Sequence, residues 1–286
     1  MAAVRYLVTG ANGQLGRAMV DVARSRGDGV VGLGHAELAV EDADATRRAI
    51  AKHSPEVVVH CGAWTDVDGC ERDPERANRV NGHGTANVAE ACRAIGAKLV
   101  YVSTDFVFDG TAHTPYRVDA EPAPVSAYGR SKLLGEQAVL RDSEPGFVVV
   151  RTSWVFGPGG KNFPRAILSR ARSGEPLRVV DDQVGSPTFT LDLAVALVDL
   201  AARPDVGGIF HASNDGSCSW HEFARCLVDA AGLEVEVGRM SSSELDRPAP
   251  RPSYSVLDCS RLTELRGRSL PDYHDAIRRY LELESP

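Results

Sequence analysis

Apolar residues recur along this chain in two alternating rhythms. Short continuous runs at residues 4–8, 30–33, 57–59, 98–103 and 147–151 have the length and β-branched content of strands buried on both faces. Between them, apolar positions repeat at helical spacing. Leu15, Met19, Val20 and Ala23 mark a helix over residues 14–26, closed by Gly27-Asp28-Gly29. Residues 43–52 read as a second helix, with Pro55 as a breaker before the next strand. A long helix is expected from Pro74, which suits a first helical turn, to about Ile95, and another over residues 126–140. Repeated strand-helix alternation with right-handed crossovers predicts an α/β fold with a doubly wound parallel sheet covered on both faces.

From Trp154 the rhythm changes. Gly157-Pro158-Gly159-Gly160 is a loop, residues 163–172 a helix, and 181–188 a polar loop after a short strand. Helices over 191–202 and 219–231 flank a short strand at 209–211, and the tail from Ser241 is richer in Pro, Ser and Arg. A second polar connection, 109–125, carries Gly110, Pro115, Pro122 and Pro124. The expected division is a dinucleotide-binding domain at 1–153, to which 189–215 returns, and a smaller C-terminal substrate-binding lobe of 154–188 and 216–286. Such a lobe would close over the carboxyl edge of the sheet, where open α/β sheets place ligands.

Composition narrows the classes of function. A chain of 286 residues with 43% hydrophobic and 25% charged residues can bury a substantial core. Its net charge is −7 with both signs interspersed, so neither a nucleic-acid groove nor a membrane-binding surface is expected. No apolar run has the length of a membrane span or a secretion signal, and a cytoplasmic location is expected. Cys61, Cys70, Cys92, Cys218, Cys226 and Cys259 form no C-x-x-C pair and have no ligand-like histidine spacing. They read as buried thiols, with no metal site.

Chemistry enters with Thr9-Gly10-Ala11-Asn12-Gly13-Gln14-Leu15-Gly16, directly after the first strand. A strand that breaks into a glycine turn and then a helix presents the helix's first N–H groups to a pyrophosphate. The spacing is G-x-x-G-x-x-G, which by itself also fits an ordinary strand-to-helix turn. Tyr128 and Lys132, at i and i+4, share one face of the helix expected from residue 126. An ammonium beside a phenol favours the phenolate and lowers its pKa, as a proton-relaying tyrosine requires. Y-x-x-x-K arises often by chance. Its weight comes from Ser103-Thr104-Asp105 at the carboxyl end of the strand before it, where a hydroxyl can bond a substrate carbonyl or the tyrosine.

With these three features together, the chain resembles the extended short-chain dehydrogenase/reductase superfamily, of Rossmann type. Within it, segments 9–16, 103–110, 128–132, 151–158, Asn162-Phe163, 182–188 and 251–258 look like the dTDP-4-dehydrorhamnose reductase family. The resemblance implies reduction of the 4-keto group of a dTDP-linked 4-dehydro-6-deoxyhexose by NADPH, with NADH as the alternative cofactor. It implies that Tyr128 donates the proton, Lys132 lowers its pKa and holds the nicotinamide ribose, and Thr104 bonds the carbonyl or tunes Tyr128. Cofactor contacts are expected from Gly10, Asn12, Gly13, Gln14, Leu15, Gly16, Ala39, Val40, Ala63, Trp64, Thr65 and Ser103. Substrate contacts are expected from Thr104, Asp105, Trp154, Asn162, Gln183 and Arg251.

Two departures alter what carries over. Ala39 stands where the family often has an aspartate able to bond the adenine, so contact there must be apolar. Arg17-Ala18 supplies no carboxylate for the metal-bridged dimer of some members, so a monomer or weak homodimer is expected. Phe106 stands where related dehydratases carry an acidic residue, which favours net reduction. A 4-ketoreductase for another deoxysugar, such as dihydrostreptose, and a non-catalytic regulatory subunit of the same fold remain alternative readings. His60 is expected to be a core histidine, and Asp181, Asp182 and Glu71 to be surface charges. Asn162 and Gln183 fit turn caps as well as sugar or base contacts. Arg247 and Arg251 fit either a pyrophosphate or solvent.

Overall fold

The computed structural model describes residues 3–142, 144–203 and 205–284; the expected outer limits, Met1 and Pro286, lie outside the described residues. Strand β1 (Arg5–Thr9) runs through the glycine turn into α1 (Gln14–Ser25), followed by β2 (Gly29–Leu33), α2 (Ala43–His53) and β3 (Val57–His60). A short α3 (Val67–Arg72) precedes a long helical run: α4 (Pro74–Ala77), a π-helical turn (Asn78–His83) and α5 (Gly84–Ile95). Then come β4 (Lys98–Thr104), α6 (Ala127–Leu140) and β5 (Phe147–Thr152). The expected long helix is therefore present but widened at its middle, a distortion that gathers near functional sites.

Beyond β5 the chain makes β6 (Val155–Phe156), α7 (Phe163–Arg172), β7 (Leu177–Val180), β8 (Val184–Gly185) and β9 (Thr188–Phe189). Next are α8 (Thr190–Ala201), β10 (Gly208–His211), β11 (Cys218–Ser219), α9 (Trp220–Ala230), β12 (Val237–Met240), α10 (Ser260–Arg266) and α11 (Tyr273–Glu284). Helix α8 packs against α1, and β10 pairs with β5, so this part of the chain rejoins the main sheet.

The main sheet has the order β10-β5-β4-β3-β1-β2, and every neighbouring pair is parallel. Its continuous apolar runs serve both faces by simple alternation. Tyr6, Val8, Val57, Val59, Val148 and Val150 face α1 and α8, while Leu7, Val58, Val149 and Leu99 face the layer of Ile50, Val88 and Val139. Two core layers result, and both ends of the strands are left for loops.

The lobe is built differently. Its strands occur in three separate pairs, β6 with β9, β8 with β11 and β7 with β12. They have two to four residues each, too short to show a period. Helix α11 buries Tyr273, Ala276, Ile277 and Tyr280 at helical spacing, a pattern that the polar tail composition hid. All six cysteines are free; Cys70, Cys92 and Cys218 are buried, but Cys61, Cys226 and Cys259 are half-buried, contrary to the uniform burial expected. Among the described residues no helix is long and apolar enough to cross a membrane, and no group of three or more His, Cys, Asp or Glu is placed to hold a metal ion.

Candidate active site

Gly10 ends β1 with φ of +67°, and a Cβ there would lie 2.6 Å from the backbone nitrogen of Gly62. A Cβ on Gly16 would lie 2.2 Å from the Gly10 carbonyl oxygen, so α1 can seat against the turn only because this position is glycine. Gly13 caps α1 without a side-chain bond, leaving the first-turn amides uncapped at the positive end of a 12-residue helix. This turn lines a cleft of about 750 Å³ at the carboxyl edge of the sheet.

The cleft gathers most of the expected cofactor residues: Gly10, Asn12, Gly13, Gln14, Leu15, Gly16, Val40, Ala63, Trp64, Thr65 and Ser103. Ala39 is half-buried and stands outside the lining, because Leu38 and Val40 on either side of it turn inward. The Val40 carbonyl is held by the Asn87 side chain at 3.0 Å. The π-helical turn places Asn81 against the segment after β3: its Oδ1 accepts the Trp64 N–H at 2.7 Å, and its Nδ2 donates to the Trp64 carbonyl and to Ser131 Oγ.

In the same cleft, α6 begins at Ala127 because Ser126 accepts the Gly129 N–H and Glu71 accepts the Ala127 N–H at 2.7 Å. Glu71 is thus an anchor, not a solvated charge. That start puts Tyr128 and Lys132, 9% and 2% exposed, into the cleft beside Thr104 at the end of β4. Thr104 Oγ1 accepts the Phe106 N–H and donates to Asp105 Oδ1 at 3.0 Å. Lys132 Nζ donates to the Val102 carbonyl at 2.8 Å and lies 4.3 Å from the centre of the Tyr101 ring.

Burial dominates the electrostatics of this cluster. It drives Lys132 down to about 7, with Glu136 and Cys61 opposing. It raises Tyr128 above the ordinary phenol value; the neighbouring Thr104 hydroxyl partly offsets this, and Asp105 adds to it. Burial is the largest influence on the phenol, and the net direction is upward. Asp105 is pushed up to about 6 by burial, against bonds from Ser255 and Thr104. His60 is the expected core histidine, bonded to Thr9 Oγ1 at 2.6 Å and to Thr85 at 3.1 Å, and lowered by burial to about 3.

The lobe closes the far side. Trp154 adopts φ of +46°, which a bulky side chain rarely takes, and stacks on Trp220 with ring centroids 3.5 Å apart. Both line the cleft with Asp105. Asn162, Gln183 and Arg251 stand outside its lining. Asn162 caps α7 by accepting the Arg165 N–H and donates to Gln14 Oε1 at 2.8 Å. Gln183 is buried between β7 and β8. Arg251 grips Asp68 in a bidentate pair, at 2.9 and 3.1 Å. Asp182 is the exposed surface charge expected and accepts bonds from Ser241 and Ser242, whereas Asp181 is half-buried and accepts from Ser219, fastening the lobe.

Among the lining residues that the sequence did not point to are Arg76, Lys161 and Trp220. Arg76 lies 4.4 Å above the Trp64 ring. A signal for Trp220 was present, since Ser219 and Glu222 form a capping box that sets Trp220 at the first position of α9. Nothing local marks the other two.

The family model described as the RmlD substrate binding domain matches residues 4–285. The dTDP-4-dehydrorhamnose reductase of Streptomyces griseus is 44% identical over 262 residues, 90% of this chain and 86% of that protein. A spore coat polysaccharide biosynthesis protein, SpsK, of Bacillus subtilis is 40% identical over 281 residues, 98% of each. The crystal structure of the Bacillus anthracis dTDP-4-dehydrorhamnose reductase in complex with NADP superposes with a TM-score of 0.94 at 34% identity, covering 99% of this chain and all of that one. With its glycine turn, its Thr104-Tyr128-Lys132 cluster and a match of this extent, the chain belongs to the dTDP-4-dehydrorhamnose reductase family.

Proposed function

We propose that this protein reduces dTDP-4-dehydro-L-rhamnose to dTDP-L-rhamnose with NADPH. One observation carries the reading: Thr104, Tyr128 and Lys132 converge on a cleft that the uncapped N-terminus of α1 also lines. The turn fits a dinucleotide, since its amides suit a pyrophosphate and its backbone contacts tolerate no added Cβ at Gly10 or Gly16. When bound, the nicotinamide supplies the hydride.

The chain's own residues supply the proton and the orientation. Tyr128, kept neutral by burial, donates its proton to the 4-keto oxygen as hydride reaches the carbon. The charge of Lys132 then stabilises the phenolate left behind, and the Thr104 hydroxyl holds either that oxygen or the carbonyl. Lys132 would also hold the nicotinamide ribose, and Gly13, Gln14 and Leu15 would meet the pyrophosphate. Asp105 and Trp154 contact the sugar nucleotide, and Asn162 acts through Gln14. We assign the sugar nucleotide to the lobe of 154–188 and 216–286. A cytoplasmic monomer or weak homodimer, without nucleic-acid partners, suits the charge and the absence of a carboxylate at Arg17-Ala18.

The test is incubation with dTDP-4-dehydro-L-rhamnose and NADPH, following loss of the reduced-nicotinamide absorbance and identifying the product by NMR. Stoichiometric oxidation with dTDP-L-rhamnose as product is expected. Turnover without cofactor consumption would replace reduction by epimerisation or dehydration. Full cellular function in a Tyr128→Phe strain would establish the regulatory-subunit reading, and a catalytic efficiency strongly favouring NADH would reassign the cofactor.

A further inference from the structure

A third residue lies on the same stripe of α6. Tyr128, Lys132 and Glu136 stand at i, i+4 and i+8, and Glu136 is 2% exposed. Its carboxylate receives Arg151 of β5 in a bidentate grip, Nε to Oε1 at 2.9 Å and Nη2 to Oε2 at 2.6 Å. Ser103 of β4 donates to the same Oε1 at 2.6 Å. Arg151 is 1% exposed, its Nη1 has no hydrogen-bond partner among the described residues, and its guanidinium lies 5.0 Å from the centre of the Phe108 ring.

One carboxylate therefore ties together the three elements that carry the cleft's chemistry. Ser103 precedes Thr104 and is paired in register with Arg151, while Thr104 pairs with Thr152, two residues before Trp154. Stability alone does not account for so buried a pair. Desolvating two charges costs several kcal/mol each, and apolar replacements of similar volume are often as stable or more so.

We propose that Glu136, clamped by Arg151 and Ser103, is a positioning residue of the reduction that keeps Lys132 charged and aimed into the cleft. The proposal rests on the roles given above to Tyr128 and Lys132. Groups facing Lys132 come from every element packed around it. His60 and Cys61 follow from β3, and Tyr101 and the Val102 carbonyl from β4. Tyr128 and Glu136 lie on α6 itself, and Arg151 of β5 stands behind Glu136. Glu136 is the anionic carboxylate of this set, and it opposes the burial that drives Lys132 down. Without that charge the ammonium is lost at lower pH.

The test uses three variants, each assayed for NADPH oxidation across pH and for thermal melting. In Glu136→Leu/Arg151→Met the alkaline limb of kcat/KM should move down by about one pH unit, a loss of about fivefold at the wild-type midpoint that approaches about tenfold well above it. The melting temperature should change by less than about 3 °C. Glu136→Gln should move the limb the same way, and Glu136→Asp, which keeps the charge, should restore it. An unmoved limb in folded Glu136→Leu/Arg151→Met or Glu136→Gln overturns the proposal and leaves the pair a scaffold. Tyr128→Phe separates the two failures: if it stays active, the underlying roles are wrong, and if it is dead while the limb is unmoved, only the positioning role is.

Discussion

The two walls of the cleft are made by opposite means. On the sheet side, Gly10 to Gly16, Thr104, and Tyr128 with Lys132 each sit at the end of a regular element, and their orientation follows from where that element starts or stops. On the lobe side, Trp154 holds a left-handed backbone, stacks on a tryptophan 66 positions away, and depends on strands of two to four residues. The contrast teaches that the parts proposed to carry proton and hydride transfer are ones that local chemistry positions. The proposed recognition of the sugar nucleotide falls to parts that only packing positions.

Breaking the sheet wall should have the largest effect. Tyr128→Phe removes the proposed proton donor, and kcat should fall about 10²- to 10⁴-fold while cofactor affinity by fluorescence titration stays within about twofold. The lobe wall should respond differently. Trp220→Ala removes the stacking partner of Trp154, and the KM for the sugar nucleotide should rise about five- to tenfold with little change in kcat. An equal fall in kcat for Trp220→Ala would show that the lobe also aligns the reacting carbonyl.

Lys132 sharpens the comparison through stability. Its pKa in the folded chain, about 7, lies below the ordinary lysine value, so the unfolded chain binds more protons between that value and about 10.4. The destabilisation is therefore full below about pH 7 and fades as pH rises through this window. Lys132→Met should be inactive yet melt about 3 °C or more above the wild type at pH 6, with the gap closing by pH 10. A lower melting temperature at pH 6 would mean that the bond to Val102 outweighs burial.

The smallest effect is expected at the clasp between the walls. Asp68 and Arg251 are both partly exposed, and the Asp68 carboxyl is held below the usual range chiefly by its hydrogen bond to Arg251. Asp68→Asn should cost less than about 1 kcal/mol. It also frees Arg251, so the KM for the sugar nucleotide should fall if that guanidinium reaches the diphosphate. An unchanged KM in both Asp68→Asn and Arg251→Lys would leave the pair as a fastening only.

How much was legible follows the same divide. Strand positions, the helices over α1, α6 and α7, and the convergence of Gly13, Thr104, Tyr128 and Lys132 could be read from apolar runs and turn residues, because each depends on neighbours within one element. Trp220 was half legible through its capping box, whereas Arg76 and Lys161 left no local trace.

By itself the order of residues determined the alternation of buried strands and helices, the glycine turn, and the shared face of Tyr128, Lys132 and Glu136, since backbone sterics and helical periodicity act over a few residues. Tertiary structure alone decided that burial would keep the Tyr128 phenol protonated, that Arg251 would grip Asp68, and that Glu136 would meet Arg151 and Ser103. Desolvation and ion pairing depend on which surfaces come together across the fold, and no stretch of sequence contains both partners.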